Sequence, residues 1–194
     1  MGDDPTRAFG SAQPGGYHRS AMPDATIRLA TTDDAEPIMA IYNREVTSST
    51  ATFDLVPRSL AEQRAWLAAR SGAFSAIVAI LASDAGDDVG GGLVVGFASL
   101  SPYKERAAYR TTVEDSVYVH RDHTGRGIGR LLLGGLVGIA RDSGFHSVIA
   151  RIEAGGAASL ALHTSCGFDL VGVERQVGRK FGRWLDVAVM QIVL

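Results

Sequence analysis

Cysteine and lysine are nearly missing from this chain of 194 residues, and no long hydrophobic run or strong net charge is present. A lone Cys166 can close no internal disulfide and build no cysteine-rich zinc site, which points to a reducing compartment and a cytoplasmic protein. Nineteen basic against twenty-one acidic side chains leave a formal charge of −2, so no broad basic surface to follow a phosphate backbone is expected, and nucleic acid is not expected as the main partner. The longest apolar stretch, Leu131 to Ala140, is about half of the roughly 20 residues that cross a bilayer and is interrupted by glycines, so no membrane partner is expected.

What is present is a chain with 46% hydrophobic and 21% charged residues, enough for one domain with a substantial core. Lys104 and Lys180 are the two lysines beside seventeen arginines, a bias we read as the codon usage of a GC-rich, bacterial genome. Residues 1–24 carry Pro5, Gly10, Pro14 and Pro23 without apolar periodicity, the pattern of a disordered leader; the folded domain is expected over 25–194.

Thr26 to Ala30 reads as a strand, followed by Thr31 to Asp34 as a helix opening and by Ile38, Met39, Ile41 and Tyr42 as the helix's apolar side. Ser59 and Glu62 form a capping-box pattern before a second helix that buries Trp66 and Leu67. Phe74 to Leu81 and Leu93 to Leu100 read as a hairpin around the acidic glycine turn Ala82 to Gly92, and a further strand spans Thr112 to Val119. An apolar helix opens at Gly125 to Gly129, and Gly134, Gly135 and Gly138 within it predict close packing on a sheet. Ser147 to Ile152, a helix over Ala157 to Ser165, and strands Phe168 to Val177 and Trp184 to Val193 complete the chain. The order β, α, α, β, β, β, α, β, α, β, β predicts a mixed α/β fold with helices on both faces of one sheet.

The segment from Val113 to Arg130 carries the chemistry. Glycines at 125, 127 and 129 at a helix start leave backbone N–H groups free for a pyrophosphate, and Arg126 and Arg130 add charge; a tight strand-to-helix turn is the plain alternative. A Walker loop needs a lysine that is absent here, and a dinucleotide fingerprint needs glycine where Arg130 stands. Arg126-Gly127-Ile128-Gly129-Arg130 resembles instead the phosphate loop of the GNAT acetyltransferases. Ser116-Val117-Tyr118-Val119 is similar to their central splayed strand, and Leu162-His163 with Cys166-Gly167-Phe168 to their fourth helix and sixth strand. Within that superfamily, Tyr109 to Glu114 and Lys180 to Asp186 resemble the phosphinothricin and methionine sulfone or sulfoximine acetyltransferases.

The resemblance implies a central, mainly antiparallel, splayed sheet and acetyl transfer from acetyl-CoA to the α-amino group of a small amino-acid analogue, by direct attack. Glu114 matches the general base, and strand parity sets it apart from Asp115, which makes Asp115 the weaker candidate. His163 stands where many relatives carry the acid for the departing thiolate. Val117, Tyr118 and Val119 match the strand whose backbone meets the pantetheine arm, and Gly125, Arg126, Gly127, Ile128, Gly129 and Arg130 the pyrophosphate site. Gly156 replaces an asparagine that contacts the coenzyme in relatives, with Ser159 available to compensate. Lys104, Arg106 and Lys180 are the cations expected to pair with the substrate carboxylate, while Phe53, Tyr109, Ser116 and Phe181 complete its pocket. The resemblance also implies a homodimer. Two other readings stay open: a GNAT enzyme for an antibiotic or polyamine, and a non-catalytic acyl-CoA sensor.

His120 and His123 flank Asp122 without further ligands, so no metal site is expected there. Cys166 reads as an inert thiol, and Ser165 lacks a nucleophile elbow.

Overall fold

The computed structural model describes residues 24–82 and 92–194; the leader through residue 23 and most of the acidic glycine turn lie outside them. Seven strands form one sheet in the order β1-β2-β3-β4-β5-β7-β6: β1 Ala25–Leu29, β2 Ala76–Leu81, β3 Leu93–Pro102, β4 Thr112–Val119, β5 Ser147–Glu153, β6 Asp169–Lys180 and β7 Arg183–Val193. Every neighbouring pair is antiparallel except β4 and β5. The helices are α1 Ala35–Ser48, α2 Leu60–Ala68, α3 Ile128–Asp142 and α4 Ala157–Ser165.

Period-two alternation divides the core between the two sheet faces. Ile77 and Ala79 of β2 face Leu132, Leu133 and Leu136 of α3, whereas Ala76 and Val78 face Ile38, Ile41 and Val46 of α1. Ser59 accepts the Glu62 N–H and the Glu62 carboxylate accepts the Ser59 N–H, so the expected capping box opens α2. No helix among the described residues is long and apolar enough to cross a membrane.

Several boundaries move for local reasons. Gly72 at φ +56° turns Gly72–Phe74 into a 3-10 turn, which delays β2 to Ala76. β6 runs on to Lys180, past the expected end at Val177, because a bulge between Glu174 and Gly178 absorbs the irregularity; there Gln176, at φ 53°, donates its N–H to Asp186 Oδ1 at 2.8 Å. The glycines of α3 divide by role. A Cβ on Gly135 would lie 2.6 Å from Ile27 Cδ1, the close sheet contact expected, but Gly134 and Gly138 face open space.

Candidate active site

β4 and β5 pair only through Thr112–Ser147, Val113–Val148 and Glu114–Ile149, after which the strands part. On its other edge β4 stays paired with β3 to Val119, and the His120 N–H donates to the Val95 carbonyl at 2.8 Å. In an antiparallel ladder hydrogen-bonded and non-hydrogen-bonded pairs alternate, so the backbone groups of Asp115, Val117 and Val119 turn away from β3 into the gap. The fork opens into a cavity of about 530 Å³ walled by β4, β5, the loop after α1 and the first turns of α4.

Alternation sends the β4 side chains to opposite faces. Val113, Val117 and Val119 pack on the α3 side; Tyr118 lies with its ring 5.2 Å from those of both Tyr42 and Phe97 on the α1 side. Glu114 shares the Tyr118 face and lines the cavity beside Ser116. Burial pushes its carboxyl above the ordinary range, a shift that the nearby Arg151 charge opposes.

Asp115, the weaker candidate by strand parity, has a buried partner. It is 7% exposed, and its Oδ2 lies 3.1 Å from Nε2 of His163, which is 3% exposed. His163 Nδ1 lies 2.8 Å from the Ser159 carbonyl, which can only accept, so that nitrogen carries a proton. Burial alone would lower the imidazole pKa, but the Asp115 carboxylate outweighs it and the net shift is upward. Both residues line the cavity; Asp115 Oδ1 is buried with no hydrogen-bond partner among the described residues.

At the start of α3, Gly125 and Gly127 adopt φ of 74° and 79°, values that L side chains avoid, and Gly125 has open space where a Cβ would stand. Arg126 and Arg130 are exposed there, and Arg126 Nη1 donates to His123 Nδ1 at 3.0 Å. Two members of the motif serve the fold. Ile128 is a core side chain, and a Cβ on Gly129 would lie 3.1 Å from Leu162 Cδ2, so Gly129 permits the approach of α4 and does not enlarge the loop. Open glycine backbone at the amino end of a long helix, next to strands with free edges, fits a pyrophosphate carried on an extended arm.

The expected acceptor residues scatter. Phe53 lines the cavity and rests on Gly178, where a Cβ would come within 2.1 Å of its ring. Lys104 lies over the rings of Tyr103 and Tyr109, at 4.7 and 5.2 Å, and with Arg106 and Tyr109 it stands outside the cavity lining. Phe181, at φ 50° with Gly182 at φ 77°, forms the exposed two-residue tip of the β6–β7 hairpin. Lys180, expected to pair with the substrate carboxylate, is 4% exposed and donates from Nζ to the Thr52 carbonyl at 2.7 Å and the Glu45 carbonyl at 3.3 Å. It ties the cavity wall to β6 within one chain, with two of its three N–H groups engaged there. Gly156 begins α4 without a side-chain cap, and Ser159 borders the cavity. Among the described residues no group of metal-binding side chains gathers.

Residues 36–168 match the acetyltransferase (GNAT) family. The chain belongs to that family. A relative from Pseudomonas paraeruginosa, an L-methionine sulfoximine/L-methionine sulfone acetyltransferase, is 44% identical over 170 residues, covering 88% of this chain and 95% of its own. The phosphinothricin N-acetyltransferase of Alcaligenes faecalis is 39% identical over 86% of this chain and 81% of its own. Among solved structures, a GNAT superfamily phosphinothricin acetyltransferase from Sinorhizobium meliloti in complex with acetyl-CoA is 38% identical, with a TM-score of 0.79 over 88% of this chain and 89% of that one. The splayed β4 and β5 and the glycine turn before α3 are therefore the family's architecture in this chain.

The sequence reading missed the Asp115–His163 pair and the place of Arg151. Forty-eight positions separate Asp115 from His163, and the pattern that isolated Asp115 from Glu114 was the signal that it faces α4.

Proposed function

We propose that this enzyme acetylates the α-amino group of a small amino-acid analogue, of the methionine sulfone, methionine sulfoximine or phosphinothricin type, with Glu114 as general base. The observation that carries the reading is the position of Glu114: half-buried, at the last paired residue before the fork opens, with its carboxyl pushed upward by burial. Acetyl-CoA supplies the acetyl group as a thioester and gives it directly to the amine. Gly125 to Arg130 would hold its pyrophosphate, and the outward backbone of Val117 and Val119 its arm. Glu114 takes the proton of the acceptor ammonium, which frees the nitrogen lone pair. His163, whose pKa the Asp115 carboxylate raises against the opposing effect of burial, is the assigned proton source for the departing sulfur; transfer from Nε2 gives up that bond. Ser116 and Phe53 border the acceptor side of the cavity.

A homodimer is part of the same proposal. Leu170, Val171 and Val173 are exposed on the edge strand β6, and Phe181 and Trp184 beside the hairpin tip, an apolar strip that a second copy would cover.

Thiol release from acetyl-CoA tests the reading against methionine sulfone, methionine sulfoximine, phosphinothricin, free amino acids, polyamines and an aminoglycoside. Saturable turnover with the first three is expected. Turnover only with polyamines or the aminoglycoside would overturn the substrate class, and coenzyme binding without any turnover would return the chain to the sensor reading.

A further inference from the structure

We propose that Arg151 receives the carboxylate of the amino-acid acceptor and so determines the preference for amines that carry a neighbouring negative charge. This rests on the amino-acid reading above. The side chains expected for that task are elsewhere: Lys180 is buried against two carbonyls, and Lys104 and Arg106 stand outside the cavity lining. The walls that remain are acidic, with Glu45, Glu114, Asp115 and Glu153. A carboxylate entering them meets repulsion unless a cation is at hand.

Arg151 is the arginine in that lining; His163, the other ionisable base there, has both ring nitrogens engaged. Glu114 is opposite Ile149 on β5, and a strand repeats every two residues, so Arg151 lies on the Glu114 face one step further into the fork. Its Nη2 reaches across β7 to Glu174 Oε2 on β6 at 2.5 Å. That bond holds the guanidinium plane while leaving most of its five N–H donors for a second carboxylate, and the side chain is 37% exposed. An amino acid needs its ammonium near a base and its carboxylate near a cation, and Glu114 and Arg151 supply those two charges on one face.

The test compares methionine sulfone with its carboxamide, the same amine without the negative charge, in the full chain, Arg151→Gln and Glu174→Gln. The wild type is expected to prefer the acid. Arg151→Gln is expected to raise KM for methionine sulfone by roughly tenfold or more while KM for the carboxamide and for acetyl-CoA stays within about twofold. Glu174→Gln removes the ion pair but keeps the preference. A wild type that treats both amines alike, or an Arg151→Gln that loses both equally, overturns the inference and leaves acetyl transfer to amino acids standing. A wild type that acetylates neither overturns that reading and this inference together.

Discussion

His163 Nε2 and Asp115 Oδ2 meet at 3.1 Å between α4 and β4, on the edge of β4 that β5 has left. The pair links a helix to a strand edge where backbone hydrogen bonds are missing. Its strength depends on pH in a direction fixed by the upward shift of His163. The stabilisation is complete below the unfolded histidine value near 6.5 and fades as pH rises through the elevated folded one. Asp115→Asn is therefore expected to cost about 2 kcal/mol at pH 6 and clearly less at pH 9, as read from urea unfolding at both values. A cost that grows with pH would contradict the charged pair.

Glu114→Gln keeps size and hydrogen bonding but not basicity. We expect kcat to fall by roughly 100-fold or more with acetyl-CoA affinity retained. In the wild type the base must be ionised, and burial raises its pKa, so kcat/KM should fall on the acid side at a pH above that of an ordinary glutamate. Arg151 opposes that shift, so Arg151→Gln should move this limb to still higher pH. Measured pH profiles of the two proteins check both signs.

Lys180→Met preserves the alkyl stem and removes the ammonium that binds the Thr52 and Glu45 carbonyls. The buried Thr52 carbonyl then loses its Lys180 donor, while the Glu45 carbonyl keeps the Ser49 N–H at 3.2 Å, at a cost of about 1–3 kcal/mol. Because Thr52 and Phe53 belong to the cavity wall, KM for the amine should rise while KM for acetyl-CoA does not. Equal changes in both constants would mean that the tie serves global stability alone.

Gly134→Ala and Gly135→Ala are neighbours on α3 with opposite expectations. The first fills open space and should gain about 0.5–1 kcal/mol from helix propensity. The second places a Cβ 2.6 Å from Ile27 Cδ1 and should lose that gain to crowding, giving a lower melting temperature than Gly134→Ala.

The element order was legible because its signals are local: a continuous apolar run in β2, a capping box at Ser59, and helical spacing through α3. Glu114 stood out through the motif around it, and it lines the cavity. The acceptor side was not legible, because its geometry depends on contacts between distant segments. Lys180 touches Thr52 across 128 positions, and nothing near either residue in the chain announces the bond. The glycines of α3 failed in a different way: composition marks them alike, whereas only a neighbour such as Ile27 decides which one needs to be small. Asp115 was set aside by correct parity, but parity says which way a side chain points and not what waits there.

Among the described residues, three ladder pairs between β4 and β5, with the Thr111 carbonyl accepting the His146 N–H just before them, form the backbone seam joining the four strands on one side of the sheet to the three on the other. Mechanically the sheet is two leaves bound along a short spine, and the cavity opens just beyond the last stitch. Side-chain clasps such as His163 to Asp115 and Lys180 to Thr52 span the open margin. Under α3 the core runs unbroken across both leaves, so the hinge is splinted on one side and substitutions at the clasps are expected to act on the open side alone.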